Sequence, residues 1–322
     1  MSRKLFALSL TATLMGGAAY ADTPRVAVDI APVHSLVARV MDGISEPDLI
    51  IQPGASPHEY SLRPSEASAL QAANLVFWIG PDLTPWLTDT IETLASDAVA
   101  TKLMEADGTI ELEFREGPLF EVHDHGDDDD HDDHGDDDDH DEAESGHEGH
   151  DHGAHDPHAW LSPKNAMNWL NVIAGRLSAV DPDNAGAYFA NAAAGRTEIE
   201  TLIGEVTATL DPVRGGQFIV FHDAYQYFEM DFDFPASGAI SVSDASDPSP
   251  ARIAKIQARI AEQGIDCVLA EPQFNPGLVA TVLDGTDAQT GILDPLGSDL
   301  EPGPAFYPQL IRNLSTALAG CL

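Results

Sequence analysis

Positive charge is scarce in this chain. Of 322 residues, 15 are Lys or Arg and 54 are Asp or Glu, which leaves a net charge of −39. Such a balance repels nucleic acid and anionic membrane surfaces and attracts cations, so a nucleic-acid partner is excluded. Long apolar runs are also lacking after the first twenty residues, which excludes a membrane-spanning helix in the mature chain. The one such run, Leu5 to Ala19, follows Arg3 and Lys4 and ends in Ala19-Tyr20-Ala21, a small-x-small cleavage pattern. Residues 1–21 therefore read as a signal peptide cut after Ala21, with Asp22 opening the mature protein. No Cys follows the run, which excludes a lipid anchor at a new N-terminal cysteine. A soluble protein of the bacterial periplasm is expected. Cysteine is limited to Cys267 and Cys321. In an oxidising compartment the pair suggests one disulfide; the alternative is two buried thiols.

What the chain has in excess is histidine set among carboxylates. Ten of its 13 histidines lie between His123 and His158, and residues 121–156 hold 18 acids and no base. Without that segment the remainder still carries about −21. A composition that cannot bury apolar surface is expected to be disordered when metal-free. His123, His125, His131, His134, His140, His147, His150, His152 and His155 sit in this flexible setting. Each metal ion they take has to repay ordering entropy, so they read as an auxiliary, weak metal loop that raises the local metal concentration. A passive acidic tether is the plainer alternative. His147-Glu148-Gly149-His150 is one residue short of the HExxH spacing that puts two histidines on one helical face, and its surroundings are glycine-rich, so it does not indicate a protease.

Around this insertion, short apolar runs alternate with helical patterns. VAVDI, DLIIQ, NLVFWIG and VATKL read as strands in the first half; QFIVF, CVLAE and TGILD read as strands in the second. Alternation of this kind predicts α/β lobes with mostly parallel sheets flanked by helices. Asp181-Pro182 opens a pattern with few breakers that reaches Leu210, a helix of roughly 40 Å at about 1.5 Å per residue. It reads as a strut between an N-terminal lobe, residues 22–181, and a C-terminal lobe, residues 211–322. Gly186, Gly195 and Gly204 leave its straightness open.

The remaining histidines are His34, His58 and His222. His58 lies just past the strand DLIIQ, His222 just past QFIVF, and Asp294 at the end of TGILD. In open α/β sheets, ligands bind beyond the carboxyl ends of the strands. His158 precedes Ala-Trp-Leu and a Ser162-Pro163 helix start, so its backbone is expected to be held, as a preorganised site requires. His34, at the start of a helix, reads as a hydrogen-bonded structural histidine rather than a cleft residue. Glu271, in AEPQF, reads as a supporting or structural carboxylate rather than a ligand.

PGASPHEYSLRPSE, DPHAWLSP, FHDAYQYFE, AEPQF and LDPLG, in this order, resemble the periplasmic zinc-binding proteins of ABC importers, the cluster A-I metal-binding family. The resemblance spans essentially the whole mature chain, and it includes the long helix, the acidic His-rich insertion and the paired cysteines. It implies two α/β lobes joined by a long rigid helix, with metal held between them. It places His58 and His158 in the N-terminal lobe and His222 in the C-terminal lobe as ligands, with Asp294 or water at the fourth position. Pro57 stands where some relatives have an acidic extra ligand. A manganese-binding relative has a carboxylate at the position of His222. Imidazole favours the borderline-soft Zn²⁺, so three His plus one oxygen is a four-coordinate zinc set. The expected role is carriage of Zn²⁺ to an ABC permease, by a monomer that is not an enzyme. The alternatives are a carrier of manganese or another divalent ion, and a periplasmic zinc buffer whose working part is the loop.

Overall fold

The structure, a computed structural model, describes residues 23–115, 120, 155–241 and 248–322. Residues 1–21, read as a signal peptide, and eight of the nine loop histidines lie outside these residues; His155 lies within them. Among the described residues no helix is long and apolar enough to cross a membrane.

Two four-stranded parallel sheets organise the chain. In the first half β1 is Val26–Val28, α1 Ala31–Val40, β2 Asp48–Leu49, α2 Pro64–Ala72, β3 Leu75–Trp78, α3 Pro85–Leu94 and β4 Val99–Lys102. The strand order is β2-β1-β3-β4. Then come α4, Pro163–Val180, and α5, Ala185–Leu210. The second half contains β5 Phe218–His222, α6 Gln226–Phe232, β6 Ala239–Ser241, α7 Pro250–Gln263, β7 Cys267–Ala270, α8 Pro276–Leu283, β8 Gln289–Ile292 and α9 Phe306–Cys321. Its order, β6-β5-β7-β8, repeats the connectivity of the first sheet.

Strand composition follows from burial on both sheet faces. In β5, Phe218 and Val220 join the main core, whereas Ile219 and Phe221 join a second cluster with Ile240, Ile256, Ile260 and Val268. A continuous apolar run is what a strand covered on both sides needs. β6 lies in FDFPASGAIS, a stretch that carries no strand pattern in the sequence. Three residues after Pro235 and Gly238 are too short for a periodic signal, and pairing with β5 decides their conformation.

α5 is unbroken over 26 residues, about 39 Å. Tyr188, Ala192, Gly195, Ile199, Leu202, Val206 and Leu210 form its buried stripe. Gly195 marks a close approach: a Cβ there would stand 3.0 Å from Leu170 Cδ1 and 3.2 Å from Arg39 Cγ. α5 packs on α4, α1 and α9. α9 returns from the second half to lie against the strut, and Tyr307 within it donates its hydroxyl to Trp160 O. The expected disulfide is formed and fastens the end of α9 to the start of β7, with Cα atoms 5.8 Å apart.

Asp29, directly after β1, ties that strand to the end of β3. Its Oδ1 accepts from Ile30 N (2.7 Å) and its Oδ2 from Ile79 N (2.8 Å). Complete burial pushes its carboxyl up to about 7, against the pull of these amides. The native state therefore holds a proton that the unfolded chain releases near 3.8. Stability present at low pH is lost as pH rises between those two values, by about 4 kcal/mol for this group. Unfolding of metal-free protein in urea should show this decline from pH 4 to 8. The decline should be shallower in Asp29→Asn.

Candidate metal centre

Three chain segments meet at the carboxyl ends of the two sheets. After β2 the chain turns through Gly54, at φ +85°, and presents His58. This loop is fixed by Trp86 Nε1, which donates to Pro57 O at 2.8 Å. His158 comes from the stretch before α4. A short 3₁₀ turn, Ala159–Leu161, follows it, and Ser162 caps α4 by accepting from Asn165 N. Trp160 is buried beside the His158 ring, with centroids 5.2 Å apart, and donates from Nε1 to Pro295 O of the second lobe at 2.8 Å. His222 is the last residue of β5.

The imidazoles of His158 and His222 are each held through Nδ1 by a buried carboxylate. His158 Nδ1 is 2.7 Å from Asp156 Oδ1, which also accepts from His158 N. His222 Nδ1 is 2.7 Å from Glu271 Oε1, which also lies 3.3 Å from His222 N. Strand register explains the second pair. β5 and β7 align Phe218 with Cys267 and Ile219 with Val268, and the same offset brings His222 opposite Glu271. An ionised carboxylate only accepts, so Nδ1–H donates to it and Nε2 is left as the donor atom for a metal. Burial pushes the Asp156 carboxyl up to about 7 and raises that of Glu271. The amide of His158 opposes the rise in Asp156, and the nearby His222 opposes the rise in Glu271.

The two Nε2 atoms stand 3.3 Å apart. With both Nδ1 atoms engaged, their lone pairs converge, and a cation between them turns repulsion into shared binding. In tetrahedral zinc with Zn–N of about 2.0–2.1 Å, two imidazole nitrogens sit about 3.3 Å apart and their ring centres about 5.2 Å apart. The His158 and His222 ring centroids are 5.2 Å apart. His58 is farther out, its centroid 6.0 Å from that of His158. Among the described residues no three His, Cys, Asp or Glu side chains already enclose an ion. The His58–His158 spacing is about 1 Å wider than that of a tetrahedral imidazole pair.

These three histidines line one small cavity with Ser56, Pro57, Trp160, Glu271, Gln273, Phe274, Pro295 and Leu296. Its volume, about 20 Å³, admits one ion or one water. Phe274 stacks on Phe221 and sets its edge to the His222 ring, so apolar walls surround the nitrogen donors.

Asp294 was one of two candidates, with water, for the fourth position. It does not line the cavity. Its Oδ1 accepts from Gln273 Nε2 and Leu296 N, both at 3.0 Å, and its Oδ2 from Ser298 N and Oγ, both at 2.6 Å. Four donors fill the lone-pair sites of a carboxylate, so Asp294 as it stands braces the turn that carries Pro295 and Leu296. Glu271 has the supporting place that the sequence assigned it. A carboxylate on Nδ1 cannot also reach a metal on Nε2 of the same ring. His34 is the structural histidine expected, its Nε2 3.0 Å from Pro47 O.

Asp156 was missed. It falls within residues 121–156, read as disordered, yet it is 1% exposed. His155, counted with the loop, is also placed: it forms an antiparallel bridge with Glu113 and sits 3.7 Å from Glu111. The boundary was wrong because composition is averaged over a window. The signal available was the Asp156-Pro157-His158 order next to an apolar, capped segment.

A family model described as "Zinc-uptake complex component A periplasmic" (ZnuA) matches residues 26–321. The "High-affinity zinc uptake system protein ZnuA" of Brucella abortus is 46% identical over 323 residues, covering 98% of this chain and 97% of that protein. A solved structure titled "Crystal structure of ZnuA" superposes with a TM-score of 0.72 at 22% identity, covering 93% and 99% of the two chains. Another, a zinc-bound ZnuA lacking residues 138–173 of its own numbering, gives 0.71 at 23% identity, covering 93% and 98%.

Proposed function

This chain belongs to the family of periplasmic zinc-uptake component A proteins, and from that premise we propose that it captures one Zn²⁺ ion between its lobes and delivers it to the permease of an ABC importer. The carrying observation is the pair of Nε2 atoms 3.3 Å apart, one from each lobe, with both opposite nitrogens fixed by carboxylates. His58, His158 and His222 are the protein ligands, and His58 completes the set by closing over the ion. A water molecule takes the fourth place, because Asp294 would have to give up four hydrogen bonds to do so. Three imidazoles select the borderline-soft Zn²⁺ over Mn²⁺. Carriage, rather than hydrolysis, fits the buried carboxylates beside the site. Asp156 and Glu271 are committed to orienting imidazoles and are not placed as general bases. The acidic, His-rich insertion serves as an auxiliary store that raises zinc concentration near the cleft.

Zinc titration by calorimetry tests the assignment on a chain lacking residues 121–154. Asp156 must be kept because it supports His158. One tight zinc should remain and the weaker ones should disappear. If the tight zinc leaves with the insertion, the cleft is not the site and the protein is a buffer. If manganese displaces zinc at equal concentration, the metal assignment fails.

A further inference from the structure

Arg115 is the only basic residue between Lys102 and Lys164, the stretch that includes the acidic insertion. Its side chain is 17% exposed and its guanidinium serves two buried carboxylates of the second lobe. Nε lies 3.0 Å from both Asp223 oxygens, and Nη2 contacts Asp223 Oδ1. Nη1 donates to Glu229 Oε2 at 2.7 Å and Nη2 to Glu229 Oε1 at 3.0 Å. The Phe120 ring covers its face, 3.5 Å from Cζ to the ring centroid. Asp223 is the residue after His222, and Glu229 lies on α6 just beyond.

The same short segment is tied to the support of the other imidazole. Asp156 N donates to Leu112 O at 2.8 Å, and Glu113 bridges His155. Tyr227 on α6 accepts from Leu112 N at 2.9 Å and donates to Asp156 O at 2.8 Å. Leu112–Arg115 therefore holds Asp156, which orients His158, and Asp223, which is covalently next to His222.

We propose that Arg115 is a positioning residue that sets the span between His158 and His222, bracing the two lobes at the zinc-binding distance. The inference rests on the zinc-carrier reading and adds to it a residue that touches no metal. A bidentate guanidinium fixes the direction of both carboxylates at once, which a lysine ammonium, a single point charge, does not. Without the brace, β5 and the stretch before α4 can shift relative to one another, and the pair of Nε2 atoms loses its tetrahedral spacing.

Two full-length variants test it. Arg115→Lys keeps a positive charge beside the acids. The triple variant Arg115→Met, Asp223→Asn, Glu229→Gln removes the ion pairs without leaving a buried unpaired charge. Zinc competition with a chelator should show a dissociation constant raised about tenfold in both, and the visible spectrum of bound Co²⁺ should shift as the ligand geometry relaxes. Thermal unfolding of metal-free protein separates a structural role from a positioning one. Melting lowered with zinc affinity and Co²⁺ spectrum unchanged overturns the proposal, as does no change in any readout. Wild-type protein titrated in parallel keeps the two readings apart. If wild type shows no tight zinc, the carrier assignment itself fails. If wild type binds tightly and both variants match it, only the role of Arg115 fails.

Discussion

His222→Ala should raise the zinc dissociation constant of the cleft roughly a thousandfold, a loss of about 4 kcal/mol. Of the three proposed histidine ligands it is the one from the second lobe, so its removal would leave the ion held by His58 and His158 on one side only. The remaining pair has no tetrahedral partner across the cleft, and the closure of the lobes no longer completes the coordination. The fold should survive. β5 keeps its ladder to β6 and β7, and the Glu271 carboxylate retains the amide of residue 222. That carboxyl is already raised by burial and can take up a proton instead of standing charged without its imidazole. Calorimetric titration measures the loss, and thermal unfolding of the metal-free variant checks that the lobes remain intact. Wild-type affinity and stoichiometry in the variant would remove His222 from the ligand set.

Breaking the Cys267–Cys321 bond should cost about 4 kcal/mol of folding stability in the chain-entropy account, given the 54-residue separation. Cys321 closes α9, which packs on α5 and β8, and Cys267 is the first residue of the central strand β7. The bond limits how far α9 can stray from the sheet in the unfolded chain, so its loss enlarges that ensemble more than it changes native contacts. Cys321→Ser with Cys267→Ser is expected to lower the melting temperature by about 10 °C. The zinc cavity draws no lining residue from α9, so tight zinc binding should persist below the new transition. A doubly substituted protein that melts with the wild type would show that packing of α9, not the covalent link, holds this part of the fold.

Much of the architecture is legible in the residues. The apolar runs at VAVDI, NLVFWIG and QFIVF are too short for helices and too continuous for one-sided strands, which leaves doubly covered parallel sheets. The long strut is read from a stretch with few breakers, and its three glycines do not interrupt it; at Gly195 the absent Cβ lets α4 and α1 approach closely. β6 escaped notice because three residues carry no periodicity.

The site divides in the same way. His58, His158 and His222 could be singled out because each follows a strand or precedes a capped helix, and local sequence records such ends. The Nδ1 partner of His158 is less legible. Asp156 has the composition of the insertion before it, and its one local mark is the apolar, capped segment that follows His158; its burial is settled by packing. Asp294 shows the converse. Its position at a strand end suggested a ligand, yet its carboxylate accepts from Leu296 N and Ser298 N and does not line the cavity.

The sequence by itself determined the donor chemistry: imidazole rather than carboxylate at His222, an acidic cation-attracting chain, and two α/β halves with a strut between them. Those are properties of residue type and local spacing. Tertiary structure alone decided the 3.3 Å between His158 and His222 and the carboxylates that orient them. The reason is physical. Residues 64 positions apart meet through long-range contacts, among them the register of β5 with β7, the packing of α6 and the clasp at Arg115, and no local pattern encodes a distance set by such contacts.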